Sequence, residues 1–245
     1  MKMPKRESYI VESFETLPST NLYLKERFGE GQNLIVSAFR QSFGRGTKGR
    51  SFSSEKGGIY LSILTFFEDF PASRAFEVMQ NCAVAVCETL SNYGIHACIK
   101  WPNDIYVQDK KICGILIENV FEKGKVRSSL VGIGLNVYNP LPEELSGIAT
   151  TMSKVLSEEF TRCKVEEIRE RLIDNLFKEK SNLAALYRSY IGYVGEEIGI
   201  LTGDKRIPAI LVSVTEEGGL RVRTKNGEEV FYSAEVSLRL KKEGV

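Results

Sequence analysis

The sequence predicts an α+β protein: a mixed, mainly antiparallel sheet with helices, followed by a small β-rich domain. Three observations carry this expectation. Hairpin-linked β-like runs occupy residues 105–137. Helical spacing flanks them on both sides, over 72–93 and 151–190. From residue 193 the texture changes to short β-like runs separated by turn-forming residues. The expected division is therefore 1–192 for the main domain and 193–245 for the small one. With 245 residues and 42% apolar content, the chain has the length and material for this plan.

The elements follow in order. The segment Leu17-Pro18-Ser19-Thr20-Asn21 precedes a helical pattern that Gly29 ends, with Ser19 or Thr20 as its N-cap. Residues 34–39 read as a strand, and a glycine-rich basic stretch then runs to Gly58. Residues 59–67 form an almost continuous apolar run, the pattern of a strand buried on both faces. Between 72 and 93 apolar residues recur at 75, 76, 79, 82, 83, 86 and 90, which is helical spacing, and Gly94 closes it.

Strands are expected at 105–107, 112–118 and 130–137, joined by polar turns at 108–110 and 122–125. Helices are expected at 151–160 and over one longer span, 165–190, whose Ile168, Leu172, Leu176, Leu183 and Leu186 would pack on the sheet. In the tail, turns fall at 202–204, 217–219 and 225–227. Asn226-Gly227 is a two-residue hairpin signal.

Composition excludes several classes. No stretch approaches the roughly 20 apolar residues of a membrane span. The N-terminus MKMPKRESYIVESFE is too polar for a secretory signal, so a cytoplasmic location is expected. Five cysteines (82, 87, 98, 113, 163), with no C-x-x-C pair, argue against a disulfide framework or a zinc cage. His96 is the only histidine and reads as structural, which removes His-based triads. A net charge of +1 provides no global field toward nucleic acid.

Two stretches and one short motif carry chemistry. Between 40 and 56 lie five basic residues (Arg40, Arg45, Lys48, Arg50, Lys56) against one acid, Glu55, a local charge of +4. Glycines at 44, 46 and 49 let backbone N–H groups turn inward, and the interleaved cations add charge-assisted bonds, so the loop suits a phosphate. A solvated basic loop with no ligand fits the composition equally. Residues 44–49 also match G-x-G-x-x-G, but 50–58 is loop-like, and the dinucleotide fingerprint needs a helix there.

The second stretch is Lys100-Trp101-Pro102-Asn103-Asp104, followed by Lys110-Lys111-Ile112-Cys113-Gly114. Pro102 biases Trp101 to an extended backbone. The hairpin brings Asp104 and Lys111 toward one end, where an ordinary ion pair is the plain alternative. The motif Gly132-Ile133-Gly134-Leu135-Asn136 puts small residues in an apolar strand, either to admit a ligand or to mark a bulge.

STN at 19–21, Gln41, GRGTKGR at 44–50, KWPND at 100–104, KKICGIL at 110–116 and GIGLN at 132–136 together resemble the biotin protein ligase family. The match is close over 15–140. It covers the tail by position and texture only. GRG-x-x-G is weakly specific. KWPND followed seven residues after its Asp by a lysine in K-x-x-G is much stronger.

The resemblance implies a class II synthetase-like catalytic domain, with helices on one face of the sheet, and an SH3-like β barrel at the C-terminus. It implies an enzyme of protein modification that joins biotin and ATP into biotinyl-5′-AMP and transfers biotin to a lysine of a carboxyl carrier protein. Magnesium would accompany the ATP. Lys111, Arg45 and Asp104 are the implied catalytic groups. Ser19, Thr20, Asn21, Gln41, Gly44, Lys111, Gly114, Leu116, Gly132 and Gly134 would surround biotin. Arg45, Gly46, Thr47, Lys48, Arg50, Phe52, Trp101, Asn103 and Asn136 would surround the adenylate. No protein ligand set for a metal is assigned.

Two positions depart from the family pattern: Thr47 stands where a basic residue is common, and Phe52 where a tryptophan is. The first motif begins near residue 17, leaving no room for the winged-helix domain of family members that repress transcription, so no DNA partner is expected. A homodimer is compatible with the resemblance. The rivals are a lipoate or octanoate ligase or transferase, which should lack KWPND, and a non-catalytic biotin- or nucleotide-binding protein.

Overall fold

The computed structural model describes residues 3–202, 205–232 and 237–240. The turn expected around Gly203 and Asp204, and parts of the tail at 233–236 and 241–245, lie outside the described residues. Among the described residues, twelve strands fall into two sheets. The larger contains β1 (Ile10–Leu17), β2 (Leu34–Gln41), β3 (Ile59–Phe66), β4 (Cys98–Lys100), β5 (Asp104–Val107), β6 (Lys110–Glu122) and β7 (Lys125–Leu135). Its order is β1-β2-β3-β7-β6-β5-β4. Only β1 and β2 run parallel, so the sheet is mixed and mainly antiparallel.

The two faces differ in what they bury. Cross-strand partners share a face, and Leu61, Ile63, Val131, Ile133 and Ile115 point to one side. They pack there against α2 (Phe76–Ser91), α4 (Arg162–Phe177) and α5 (Leu183–Tyr190), in the main core. α1 (Thr20–Glu26) lies on the opposite face, where Leu24 packs on Leu34, Val36, Leu64 and Leu130. Along β7, that second face changes from Leu130 to Gly132 and Gly134. The apolar packing stops there and a trough begins.

Local chemistry explains the boundaries. Ser19 is the N-cap of α1, its Oγ accepting from Leu22 N–H. Gly94, at φ +73°, follows α2. The β5–β6 turn is Gln108-Asp109, both at positive φ, the geometry whose twist matches a two-residue hairpin. α3 is short, Met152–Leu156, and stops at Ser157 in the left-handed region, rather than filling 151–160.

The single helix expected over 165–190 is instead α4 and α5. Lys178 turns extended, and Lys180 folds inward to donate to Asn81 Oδ1 (3.0 Å) and the Asn175 carbonyl (2.6 Å). Asn182 then caps α5 by accepting from Ala185 N–H at 3.1 Å. Capping chemistry overrode a continuous apolar spacing.

The smaller sheet holds β8 (Glu197–Thr202), β9 (Lys205–Val214), β10 (Leu220–Thr224), β11 (Gly227–Phe231) and β12 (Ser237–Leu240), in the order β11-β10-β9-β8-β12. Lys225-Asn226 form the tight turn, with Gly227 at φ +118° pairing Thr224. Cys82, Cys87 and Cys113 are buried as free thiols. Among the described residues, no helix is long and apolar enough to cross a membrane.

Asn182→Ala removes the α5 cap and should lower unfolding free energy by about 1 kcal/mol, measured by chemical denaturation.

Candidate active site

The trough on the α1 face has a glycine floor. Cross-strand register sets Ser62, Gly132 and Leu116 in one row, and Tyr60, Gly134, Gly114 and Asp104 in the next. The register is unbroken at 132–134, so these glycines are not a bulge. A Cβ at Gly132 would stand 2.5 Å from Asn21 Oδ1, and one at Gly134 2.5 Å from the Phe52 ring. Both sites demand hydrogen because another side chain already fills the space above the strand.

A bulge does occur one hairpin away, and it places the lysine. Ile105 pairs Cys113, but Tyr106 pairs Lys111, so Ile112 is an extra residue on β6. A one-residue shift moves a side chain to the other face of a sheet. Ile112 and Cys113 both enter the core, and Lys111 comes out on the face of Asp104 and Gly114. Lys111 Nζ then bonds Asp104 Oδ1 at 2.7 Å, with both side chains about one-third exposed. The Lys111 backbone is fixed as well: its N–H donates to Ile148 O, and its carbonyl accepts from Thr150 N–H, both at 2.9 Å.

The far end of the slot is polar and short of protons. Thr20 Oγ1 donates to Gln41 Oε1 (3.1 Å) and touches Ser62 Oγ (2.7 Å), while Ser62 Oγ donates to Asn21 Oδ1. Two hydroxyl hydrogens serve three oxygen–oxygen contacts, so acceptor capacity is left over for a ligand N–H. Thr20 N–H also donates to Gln41 Oε1 at 2.8 Å. Gln41 Nε2 continues the chain to Ser54 Oγ (2.9 Å), which donates to the Phe52 carbonyl (2.9 Å).

The basic loop forms the roof. Residues 47–49 make one 3₁₀ turn, and Arg50 is extended, so no helix follows the glycines. Gly46 N–H donates to Arg50 O (2.7 Å) and Phe52 N–H to Gly44 O (2.9 Å), closing the loop on itself. Gly44 is buried under the Phe52 carbonyl and Ser54 Oγ. Arg45, Gly46 and Thr47 line the inner slot, and Arg50 lines the outer cleft. Arg40 pairs Glu55 at 3.1 Å and Lys56 faces Glu15 at 3.6 Å, so neither points at the slot. The Lys48 side chain lies outside the described residues.

With Phe52 down on Gly134 and Gly114, the inner slot keeps about 40 Å³ of free space. It opens onto a cleft of about 610 Å³.

Every residue of the expected biotin group except Gly44 lines the inner slot. Asn103 lines both spaces, but its Nδ2 donates to Ile115 O at 2.7 Å, which leaves Oδ1 as its open polar atom. Trp101 borders the cleft, with its indole N–H donating away to Gly218 O at 2.9 Å. Asn136 is held by Asn139, whose Nδ2 donates to its Oδ1 at 3.2 Å.

Sequence reasoning missed Ser62, Ser54, Tyr106 and the wall Leu141, Leu145, Ile148 and Ala149. The serines sit in strand or loop texture that looks ordinary. Burial pushes the Tyr106 phenol up to about 12, helped by Asp104, and its oxygen accepts from Lys100 Nζ at 3.3 Å. The 138–150 segment has no periodicity to flag it.

The slot thus has a glycine floor, an acceptor-rich inner end and a lysine–carboxylate pair at its outer end. The chain belongs to the biotin/lipoate A/B protein ligase family: residues 13–136 match that family, and 193–239 match the biotin protein ligase C terminal domain. The biotin protein ligase from Aquifex aeolicus, solved in complex with biotin and ATP, superposes with a TM-score of 0.74 at 33% identity, covering 96% of this chain and 100% of that one.

The bifunctional ligase/repressor BirA of Bacillus subtilis is 31% identical over 217 residues, 84% of this chain; the match covers 66% of its length. A biotin–[acetyl-CoA-carboxylase] ligase of Paracoccus denitrificans is 26% identical over 213 residues, 82% of this chain and 88% of its own length.

Gly134→Ala drives a methyl into the Phe52 ring. The roof should lift, and trypsin should cut at Arg45 and Arg50 faster than in the wild type, as read by timed proteolysis and mass spectrometry.

Proposed function

We propose that this chain is a biotin protein ligase that forms biotinyl-5′-AMP from biotin and ATP and passes the biotinyl group to a carrier lysine. The observation that carries the reading is the slot itself. Its inner end offers acceptors to a ring with N–H groups, and its outer end offers the Lys111 ammonium where a carboxylate would meet a phosphate.

The ring of biotin lies against Thr20, Asn21, Gln41 and Ser62, and its chain runs over Gly132 and Gly114. A biotin carboxylate oxygen attacks the α-phosphorus of ATP, and pyrophosphate leaves. Two anions approach in this step, so cations must bridge them. Lys111 does this from below, and Arg45 from the roof. The adenosine takes the wider cleft, among Phe52, Asn136 and the wall 141–149. In the second step the carrier's lysine amine attacks the acyl carbonyl, a C–N bond forms, and AMP leaves. Asp104 orients that amine and accepts its proton.

Magnesium belongs to the substrate, as MgATP. Among the described residues no group of three or more His, Cys, Asp or Glu side chains could hold a metal, and Asp104 is the one carboxylate lining either space. That donor set fits an ion carried mainly by phosphate and water.

A mixed anhydride hydrolyses when wet, and the 44–54 roof excludes water from it. Biotin plus ATP should therefore slow proteolysis within 44–56. Cleavage as fast as in the free protein would end the lid reading. In ATP–pyrophosphate exchange, biotin should support turnover, and lipoate and octanoate should not. Lys111→Ala should cut that exchange by on the order of 10²–10³-fold, about 3–4 kcal/mol of barrier. Exchange independent of biotin, or indifferent to Lys111, would overturn the reading.

A further inference from the structure

Asp104 sits one strand in from the edge of the large sheet. β4 is an edge strand of three residues, and β4 and β5 meet through Lys100 pairing Asp104 across the loop Trp101-Pro102-Asn103. Short edge strands hold their own position weakly, so the loop depends on its attachments. There are three. Asn103 exchanges bonds with Ile115, its Nδ2 donating to Ile115 O (2.7 Å) and its carbonyl accepting from Ile115 N–H (3.1 Å). Pro102 O accepts from the Tyr187 hydroxyl at 2.8 Å. The Trp101 indole N–H donates to Gly218 O at 2.9 Å, across to the C-terminal sheet.

The Gly218 end is built for this contact. Gly218 N–H donates to Thr215 O (3.1 Å), and Gly219 N–H to Thr215 Oγ1 (3.0 Å), which folds the β9–β10 turn tightly. Gly218 has φ +88°, and a Cβ there would overlap the Phe76 ring, so only glycine can bring its carbonyl to Trp101. Phe76 in turn meets Tyr187 edge to face, with centroids 5.5 Å apart. Contacts therefore close a circuit from Gly218 through Phe76, Tyr187, Pro102 and Trp101 back to Gly218. Trp101 is only 3% exposed.

We propose that Trp101 is a positioning residue: through its indole N–H, the 215–219 turn of the C-terminal domain fixes where Asp104 stands against Lys111. The proposal rests on the ligase reading above. It makes the small domain a part of the reaction's geometry rather than an appendage, since the loop carries its carboxylate one residue after Asn103. Displacements on the order of 1 Å at a reacting group cost up to about 100-fold in rate. A single lost tether on a loop with two others should cost less.

The test is the kcat–KM split in transfer of biotin to a biotin carboxyl carrier protein, the step in which Asp104 receives the amine's proton, normalised to active sites by the burst of adenylate. Trp101→Phe keeps a buried ring and deletes the donor. It should lower kcat per active site by about tenfold while leaving the KM for biotin within about twofold. Thr215→Val loosens the turn from inside the C-terminal domain and retains the chain's only tryptophan. It should red-shift the Trp101 emission and lower kcat in the same sense.

A purely structural role predicts instead a lower melting temperature with wild-type kcat per active site, and that result overturns the proposal. If Trp101→Phe does not fold, Thr215→Val decides alone: a shifted emission with unchanged kcat overturns it. Wild-type protein without biotin-dependent exchange overturns the ligase reading and the positioning role together, whereas wild-type exchange with unimpaired carrier transfer by the variants overturns the positioning role only.

Discussion

The rest of the site depends on one inserted residue. β6 must bury Cys113 and Ile115 against the helices and also present a lysine on the other face, beside Asp104. A strand with unbroken alternation cannot do this from position 111, because Lys111 has the same parity as Cys113. The extra residue Ile112 resolves the conflict by entering the core itself and turning Lys111 outward. Its own burial, complete at 0% exposure, holds the bulge in place. The ion pair at 2.7 Å is thus maintained by hydrophobic packing on the opposite face of the sheet.

The slot follows from a similar economy on β7. Leu130, Gly132 and Gly134 share the face that α1 covers, and the helix needs only the first of them. Where leucine gives way to glycine, Asn21 and Phe52 come down in place of aliphatic packing. The polar end is buried, and leaving such groups unpaired would be costly. Thr20, Gln41, Ser62, Asn21 and Ser54 bond one another while leaving acceptor lone pairs open, which holds their side chains in place before any ligand arrives. The same chain runs on to the Phe52 carbonyl, so floor, polar end and roof form one hydrogen-bonded unit.

Much of this was legible in the residues. The hairpins around 104–135, the helix at 76–91 and the β-rich tail carry strong local patterns, and the turn pair Gln108-Asp109 falls within the polar turn expected there. The expected hairpin puts Asp104 and Lys111 toward one end, although the bulge that makes the contact possible leaves no mark in sequence. The break between α4 and α5 was not legible, because Lys180 reads as a solvent-facing residue until its burial against Asn81 is seen. β1 was missed since its edge position and mixed exposure give no clean alternation. Ser62 lies hidden in a run that reads as almost continuously apolar, and the 138–150 wall has no repeat to read.

That wall has a consequence for how the site comes apart. Ile148 O and Thr150 N–H hold both main-chain groups of Lys111, and Met152 N–H reaches back to Asn136 O. The segment therefore cannot melt locally without freeing the backbone that aims the lysine. Opening of the cleft's apolar side and loss of the cation's alignment become one cooperative event. A partly unfolded wall would leave the Lys111 ammonium adrift from Asp104, so the cleft has no half-open state that keeps the ion pair in place.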